Sequence, residues 1–269
     1  MSERVFVIGA GKVGRGLATA FRGAGLQVMG LHARTPRDGA TSSGSYPASM
    51  SEANVIVIAV ADSALNDVCH ELAAVATQKR SVLTHGTIVL HTSGTETPPA
   101  LDELRRAGSP AGTFHPLAPF ATAERGVIAL RDGWVGIDGD PTACATARRL
   151  AAAIGARTIN IPTKAKAAYH AAAVMASNFP VVLAALAARS LAHVGVEQHA
   201  AEQVVQRLMA ASVANLEFGS PREVLTGPAA RGDRDAIAAH RAALQNDPDA
   251  LAVYDALTRA ALNLSGNQN

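Results

Sequence analysis

The first 162 residues alternate short runs of apolar, often β-branched residues with amphipathic stretches. This alternation predicts βαβ units, in which buried parallel strands are joined by helices. The expected strands are Arg4–Ile8, Gln27–His32, Val55–Val60, Thr87–His91, Ala111–Phe114, Trp134–Ile137 and Arg157–Ile161. The expected helices include Val13–Ala24, Ser63–Thr77, Pro99–Ala107 and Pro141–Ile154, and residues 35–50 are expected to form a loop.

The pattern changes after Pro162, where Ala-rich helical periodicity replaces the alternation. The expected helices here are Lys164–Val194, Glu197–Glu217, Asp233–Gln245 and Pro248–Leu262, and Pro180 should kink the first of them. We therefore predict an α/β Rossmann domain with a doubly wound, mostly parallel sheet over residues 1–162. An all-α domain for substrate binding and dimerisation should follow over residues 163–269.

The composition is that of a folded globular chain, with 48% hydrophobic and 17% charged residues. The formal net charge is +2 and no Lys/Arg block occurs, so neither nucleic acid nor a membrane surface is an expected partner. The two cysteines, Cys69 and Cys144, lie far apart and form no metal-binding motif, so we expect no metal and a reducing, cytoplasmic compartment. The N-terminus has no apolar signal core, which agrees with that compartment.

The uncharged stretch Ala171–Ala188 is as long as a short membrane span. It consists mostly of alanine and contains Ser177, Asn178 and Pro180, whereas a spanning helix requires about 20 strongly apolar residues. We therefore expect a buried helix here and no membrane span.

The segment Gly9-Ala10-Gly11-Lys12-Val13-Gly14 closes an apolar strand and opens a helix at the start of a βαβ unit. This is the context that the dinucleotide-binding fingerprint requires. In that reading Gly9 permits the tight turn, Gly11 lets a pyrophosphate approach the backbone, and Gly14 lets the helix pack on the strand. The phosphates would meet free N–H groups at the helix N-terminus, so we predict that residues 9–14 bind a dinucleotide.

The end of the second strand distinguishes NADP from NAD. An NAD site would place a carboxylate there on the ribose hydroxyls, but the sequence continues with Arg34 and Thr35, and the next acidic residue is Asp38. Arg34 offers a planar cation for a 2′-phosphate and Thr35 a hydroxyl. We expect NADP(H), with Arg34 as an ordinary exposed charge as the alternative.

Three later strand ends carry polar residues where open α/β sheets bind ligands. Val60, Ala61 and Asp62 are candidate cofactor contacts, and Asp62 is expected to be the N-cap of the next helix rather than a catalytic acid. Ser93 and Gly94 are candidates for holding a substrate oxygen beside the nicotinamide, with a simple turn as the alternative. His115 is a candidate site residue or a buried core histidine.

A polar stripe opens the helical region. At about 100° per residue, Lys166, His170 and Ser177 share one helix face, with Asn178 at its flank. Polar groups on an otherwise apolar helix need partners, which a cofactor, a substrate or another subunit could supply. Lys166 and His170 are the candidate catalytic residues, with a snorkelling lysine and a core histidine as the alternative. Near the end, Asp233 is expected to cap a helix, and Arg231 is either a carboxylate-binding or a surface residue.

These motifs together resemble the Rossmann-like oxidoreductases with a helical C-terminal domain of unknown function, a branch of the β-hydroxyacid dehydrogenase superfamily. The resemblance covers essentially the whole chain. It rests on GAGKVG at 9–14, HTSG at 91–94, FHPL at 114–117, YHAAAVMASN at 169–178 and GPAARGD at 227–233. Relatives include pyrroline-5-carboxylate reductases, imine reductases and 6-phosphogluconate dehydrogenases, and some members of the branch look like ketopantoate reductases.

The resemblance implies NADP(H), hydride transfer to a C=O or C=N group, and a homodimer joined through the helical domains. In β-hydroxyacid dehydrogenases a helix lysine is the proton donor, and Lys166 matches it. His170 stands where those enzymes have a substrate-orienting Asn, and Asn178 lies two turns further on. Ser93 matches the Ser of their D-x-S pattern, with His91 in place of Asp. These departures leave the acid/base assignment and the substrate open.

The sequence therefore predicts an NADPH-dependent reductase of a small 2-oxo acid, similar to ketopantoate. An imine reductase is the alternative within the same chemistry. A non-catalytic NADP-binding regulator is the alternative from another class, because a regulator needs the phosphate loop and an interface but no proton donor.

Overall fold

The computed structural model describes residues 3–77 and 82–267. Its centre is an eight-stranded sheet in the order β3-β2-β1-β4-β5-β6-β7-β8. The strands are β1 Arg4–Ile8, β2 Gln27–Ala33, β3 Ser42–Ser43, β4 Val55–Ile58, β5 Ile88–His91, β6 Ala111–Leu117, β7 Trp134–Gly139 and β8 Arg157–Asn160. Neighbouring strands are parallel except β6 and β7, which are antiparallel. The predicted mostly parallel sheet is confirmed.

The helices of the sheet region are α1 Lys12–Gly23, α2 Asp62–Ala76, α3 Ala100–Arg106, α4 Ala123–Leu130 and α5 Pro141–Ala153. Helix α6, Lys166–His193, begins the helical region. It is followed by α7 Gln198–Ala214, α8 Pro221–Val224, α9 Pro228–Arg231, α10 Arg234–Ala243 and α11 Pro248–Ser265. Short 3-10 helices lie at Ala48–Glu52, Thr163–Ala165 and Asn215–Glu217.

The seven predicted strands are present, with ends shifted by up to three residues. The sequence reading missed β3, α4, α8 and α9. The expectation of a loop over residues 35–50 was therefore partly wrong, because Ser42 and Ser43 pair with the end of β2. A two-residue strand made of serines has no apolar alternation by which it could be recognised.

Side chains alternate between the two faces of the sheet and fill two cores. On one face Val5 and Val7 pack with Leu17 and Phe21 of α1. On the other face Phe6 packs with residues of α2 and α3, among them Leu65, Leu72 and Leu104. Because helices cover both faces, the sheet is doubly wound, and its central strands β1 and β4 are almost entirely apolar and buried.

The chain divides into two compact units, residues 1–177 and 178–269, so the division lies inside α6. We placed the domain boundary earlier, between residues 162 and 163. The first turns of α6 stay with the sheet because Lys166 and Tyr169 are hydrogen-bonded to side chains of β6. Helix α6 continues through Pro180 without ending.

The second unit consists of helices, with a small buried core of Ala188, Ala201 and Val205. Arg189 donates two hydrogen bonds to Asp247, at 2.8 and 2.6 Å, and Asp247 caps α11. Asp233 caps α10 by accepting from the amide of Ala236, as predicted from the sequence.

The segment Thr163–His193 is apolar and long enough to cross a membrane by length and composition, which alone is weak evidence for a span. The expectation that this helix is buried was wrong for the single chain, since only 6% of its most apolar window is buried. The exposed side chains include Phe179 at 56%, Val181 at 71% and Val182 at 55%. The core of the second unit covers this helix chiefly from Ala184 onward.

Candidate functional site

The loop from Gly9 to Gly14 joins β1 to α1 and depends on its glycines. Gly9 has a φ of +111°, and a Cβ there would collide with the carbonyl oxygen of Ala59 in the neighbouring chain segment. A Cβ on Gly14 would collide with the carbonyl oxygen of Gly9. The predicted roles of Gly9 in the turn and of Gly14 in close packing are thus confirmed. A Cβ on Gly11 would meet nothing within 4 Å, so this position faces open space.

The loop ends at the N-terminus of α1, which no side chain caps. Gly11 is the N-cap of α1, no side chain caps the helix, and the first turn contains no acidic residue. The first N–H groups of a helix have no intrahelical acceptor and carry partial positive charge. The arrangement suits an anion such as a phosphate.

A cavity of about 1120 Å³ opens beside this loop. Its lining contains most of the predicted cofactor residues: Gly9, Ala10, Gly11, Arg34, Thr35, Val60 and Ala61. Lys12, Val13 and Gly14 belong to the first turn of α1. The lining also contains Arg37, Ser45, Tyr46 and Glu71, which the sequence reading missed because they come from the segment expected to be loop and from α2.

Asp62 does not cap α2, so that expectation was wrong. It is the first residue of the helix, and Ala61 occupies the N-cap position without a side-chain hydrogen bond. The Asp62 carboxylate instead accepts a hydrogen bond of 3.0 Å from the hydroxyl of Thr95, in the loop after β5. The helix begins one residue earlier than expected. The Asp62 carboxylate therefore does not cap it and instead links the segment after β4 to the segment after β5.

Ser93 forms the turn after β5. Its hydroxyl oxygen accepts from the amides of Glu96 at 2.9 Å and Thr95 at 3.3 Å, and the residue is buried. This geometry favours the turn interpretation of Ser93 over direct substrate binding. The turn leaves Gly94 at the carboxyl edge of the sheet.

Lys166 is buried, with 4% of its surface exposed. Its ammonium donates to the backbone oxygen of Glu96 at 3.2 Å and to the hydroxyls of Thr97 at 2.9 Å and Thr113 at 2.8 Å. Burial lowers the pKa of Lys166, and Asp138 opposes this shift from 3.5 Å away. Because each N–H already has an acceptor, this geometry favours a structural role for Lys166 over proton donation to a substrate.

His91 lies beside this ammonium and is completely buried. Its Nε2 atom is 3.1 Å from the Thr113 hydroxyl, while its Nδ1 atom has no hydrogen-bond partner among the described residues. Burial lowers the pKa of His91 to about 3, so its ring is neutral near pH 7. The Thr113 hydroxyl thus contacts both the Lys166 ammonium and the His91 ring, and the three side chains form one buried polar cluster.

His115 and His170 meet at the carboxyl edge of the sheet. Their ring centroids are 5.6 Å apart, and His115 Nδ1 lies 2.7 Å from the Tyr169 hydroxyl. Burial lowers the pKa of His115 to about 4 and raises that of Tyr169 to about 12. His170 Nδ1 is buried without a hydrogen-bond partner among the described residues. The structure therefore brings both predicted histidines together.

The sequence reading missed Asp138, Thr113 and Tyr169. Tyr169 adjoins a predicted site residue, but the pairing that brings β6 next to α6 has no local signal in the sequence. Asn178 is exposed and belongs to the second unit, so its role stays a prediction.

Two protein-family descriptions match successive parts of the chain. Residues 2–116 match the Rossmann-like domain, and residues 134–261 match the domain of unknown function DUF2520. No curated protein matches the sequence.

Several solved structures are similar in fold. One is a candidate NADP oxidoreductase from Bacteroides fragilis, with 21% identity and a TM-score of 0.74, covering 97% of this chain and 98% of that one. A pyrroline-5-carboxylate reductase from Coxiella burnetii has 15% identity and a TM-score of 0.61, with 100% and 99% covered. An imine reductase from Myxococcus stipitatus in complex with NADP+ has 17% identity and a TM-score of 0.58, with 96% and 92% covered. At these identities the similarity establishes the fold alone.

Proposed function

We propose that this chain, a Rossmann-like domain followed by a DUF2520 domain, is an NADP(H)-dependent oxidoreductase that reduces a C=O or C=N group of a small substrate. The observation that carries the proposal is the large cavity lined by both the Gly9–Gly11 loop and Arg34. Fold neighbours described as a candidate NADP oxidoreductase and as an imine reductase with NADP+ support it.

The residues of this cavity fit a dinucleotide phosphate. The open space at Gly11 and the uncapped start of α1 suit the pyrophosphate, since backbone N–H groups are available there. Arg34 also lines the cavity and is exposed, so its guanidinium can bind a 2′-phosphate through two N–H groups. When bound, the reduced nicotinamide would supply the hydride.

The protein would hold the substrate and supply a proton at the histidine pair. His115 is neutral near pH 7, so a ring N–H of His115 can donate a hydrogen bond to the substrate without giving up its proton. His170, with its unpartnered Nδ1, is the candidate proton donor. Lys166 would hold the start of α6 against the sheet and so position His170.

A small 2-oxo acid is the first substrate class to test, because a ketone oxygen can accept hydrogen bonds from both rings. Cyclic imines are the second class. Two of the fold neighbours support them, the pyrroline-5-carboxylate reductase and the imine reductase.

We also propose that the chain forms a homodimer through its helical region. The exposed apolar side chains of α6, among them Phe179, Val181 and Val182, would be covered by a second copy. Several large exposed apolar side chains on one helix often mark a protein–protein interface.

The test is to measure NADPH and NADH binding by calorimetry, and then to follow NADPH absorbance with a panel of 2-oxo acids and cyclic imines. We expect NADPH binding, and oxidation of NADPH with at least one member of the panel. Binding without turnover across the panel would favour a regulator that binds NADP. Absence of binding would contradict the proposal.

The assignment of the proton donor can be tested with the substrate so found. His170→Ala should lower turnover by about two orders of magnitude, since positioned proton transfer contributes about 10²–10⁴-fold. NADPH affinity should stay unchanged. His199→Ala, an exposed histidine on α7, is the matched control. Equal turnover in both variants would contradict the assignment to His170.

A further inference from the structure

Two histidine nitrogens face the same backbone position. A Cβ on Gly94 would lie 2.6 Å from His170 Nδ1 and 2.8 Å from His115 Nε2. Both nitrogens therefore border one point beside Gly94, together with Cε1 of His115, which lies 2.8 Å from the same Cβ position. An atom at that point is within hydrogen-bonding distance of both nitrogens. Any larger residue at this position would push the two rings away.

The nitrogen of His170 is buried but has no hydrogen-bond partner among the described residues. Leaving a buried polar atom unpaired is unfavourable, so most such atoms have partners. A ligand atom beside Gly94 would provide the missing partner.

The protonation of His115 Nε2 depends on the hydrogen bond that the other ring nitrogen, Nδ1, makes with Tyr169. Among the described contacts, the Tyr169 hydroxyl has one hydrogen-bond partner, His115 Nδ1 at 2.7 Å. Both groups are uncharged near pH 7, since burial raises the pKa of Tyr169 to about 12 and lowers that of His115 to about 4. An imidazole nitrogen is a better acceptor than a phenol oxygen, so Tyr169 donates. The ring proton of His115 is then on Nε2, the atom that faces Gly94.

We infer that Tyr169 is a positioning residue that fixes the tautomer of His115, so that His115 Nε2–H and His170 Nδ1 together hold the reacting oxygen or nitrogen of the substrate beside Gly94. This inference rests on the proposed reductase function for its substrate, but the tautomer itself does not depend on that function.

The two histidine rings have different roles in this arrangement: His115 orients the substrate and His170 supplies the proton. For a ketone, His115 Nε2–H donates a hydrogen bond to the oxygen and keeps its proton. A bound reduced nicotinamide would supply the hydride to the carbon. The oxygen would then take the Nδ1 proton of a His170 ring that carries a proton on both nitrogens, and that ring would be left neutral. Solvent then returns a proton to His170. The product is an alcohol and the oxidised cofactor.

The first test is nitrogen NMR of the full chain labelled at histidine, without cofactor or substrate. We expect His115 to carry its proton on Nε2 and its Nδ1 to show the shift of a hydrogen-bond acceptor. In Tyr169→Phe the acceptor shift of Nδ1 should disappear. The control is Tyr254→Phe, which removes the comparable 2.8 Å contact between Tyr254 and His240 in the second unit. A proton on His115 Nδ1 in the wild type would overturn the inference.

The second test uses a substrate found in the absorbance screen. Tyr169→Phe should lower kcat/KM about 3- to 10-fold, as loss of one hydrogen bond does, and leave NADPH affinity unchanged. Tyr254→Phe should match the wild type. Gly94→Ala should abolish most turnover while NADPH still binds, and a melting curve would verify that this variant folds. Wild-type kinetics in both Tyr169→Phe and Gly94→Ala would overturn the inference. Failure to find a substrate would count against the reductase function and leave the tautomer result standing.

Discussion

The ammonium of Lys166 lies 3.5 Å from the carboxylate of Asp138, and 5% and 19% of these side chains are exposed. The pair joins the first turn of α6 to β7. Asp138 also accepts a hydrogen bond of 2.9 Å from the hydroxyl of Thr163. The carboxylate therefore contacts both the segment before α6 and the first residue of α6. These contacts favour a structural role for Lys166, and the proton-donor role that the sequence resemblance implies for it stays a prediction.

We predict that Lys166→Ala destabilises the protein by about 3 kcal/mol, because removing one partner leaves a largely buried carboxylate without its cation. Urea unfolding measures this change. Lys164→Ala, at an exposed lysine two residues earlier, should change the free energy of unfolding by less than about 0.5 kcal/mol. Equal stability of the two variants would show that the Lys166 contacts contribute nothing to folding.

Two substitutions in the loop of residues 9–14 should distinguish an effect on NADPH binding from an effect on folding. Gly11→Val should fold normally, because its φ of −75° is permitted for valine and its Cβ meets no neighbour. Its side chain should block the approach of the pyrophosphate and weaken NADPH binding more than tenfold. Gly14→Ala should instead lower the melting temperature, since its Cβ collides with the Gly9 carbonyl. Calorimetric titration and thermal melting of both variants check the pair of outcomes, and unchanged NADPH affinity in Gly11→Val would contradict the site.

Arg34→Ala should reduce the preference for NADPH over NADH. Hydrogen bonds to a charged phosphate contribute about 1.5–3 kcal/mol, which corresponds to a loss of about 10- to 100-fold in NADPH affinity with little change for NADH. Calorimetry with both cofactors measures the ratio, and Arg22→Ala at the exposed end of α1 is the control. Retention of the full preference would assign phosphate recognition elsewhere in the lining, with Arg37 as the next candidate.

Acidification should destabilise the first unit. Burial lowers the pKa of His91 to about 3 and of His115 to about 4, whereas both titrate near 6.5 when exposed. Below pH 6.5 the unfolded chain binds protons that the folded chain does not. The free energy of unfolding should therefore fall as the pH drops toward 4, by about 1.4 kcal/mol per pH unit for each histidine.

Urea unfolding at several pH values between about 7.5 and 5 checks this dependence. His91→Gln removes one titrating ring and keeps a group that can hydrogen-bond Thr113, so its stability should depend less steeply on pH. The same slope in wild type and variant would contradict the assignment of the effect to His91.

The exposed face of α6 predicts self-association. Sedimentation at micromolar concentration should show a dimer, and Val182→Glu should shift it toward monomer because a charge would be buried in the interface. Ile128→Glu, at an exposed apolar residue in the first unit, should leave the dimer intact. A monomeric wild type would contradict the proposed homodimer.

The sequence by itself determined the elements whose signals are local. Short apolar runs such as Val55–Ile58 marked the central strands, since a strand buried on both faces needs them. The spacing of Gly9, Gly11 and Gly14 marked the loop, and only glycine fits the backbone positions of Gly9 and Gly14. The absence of a carboxylate between the end of β2 and Asp38 was likewise readable without a structure.

Only the tertiary structure decided what the polar residues contact. Lys166 and His170 share a helix face, yet one is enclosed by Thr113 and Asp138 while the other faces Gly94 with an unpaired nitrogen. Those surroundings come from strands that are 28 or more residues away along the chain, and no local pattern encodes which strand end meets which turn of α6. The role of an ionisable group depends on burial and on partners, and both are fixed when the sheet and the helix come together.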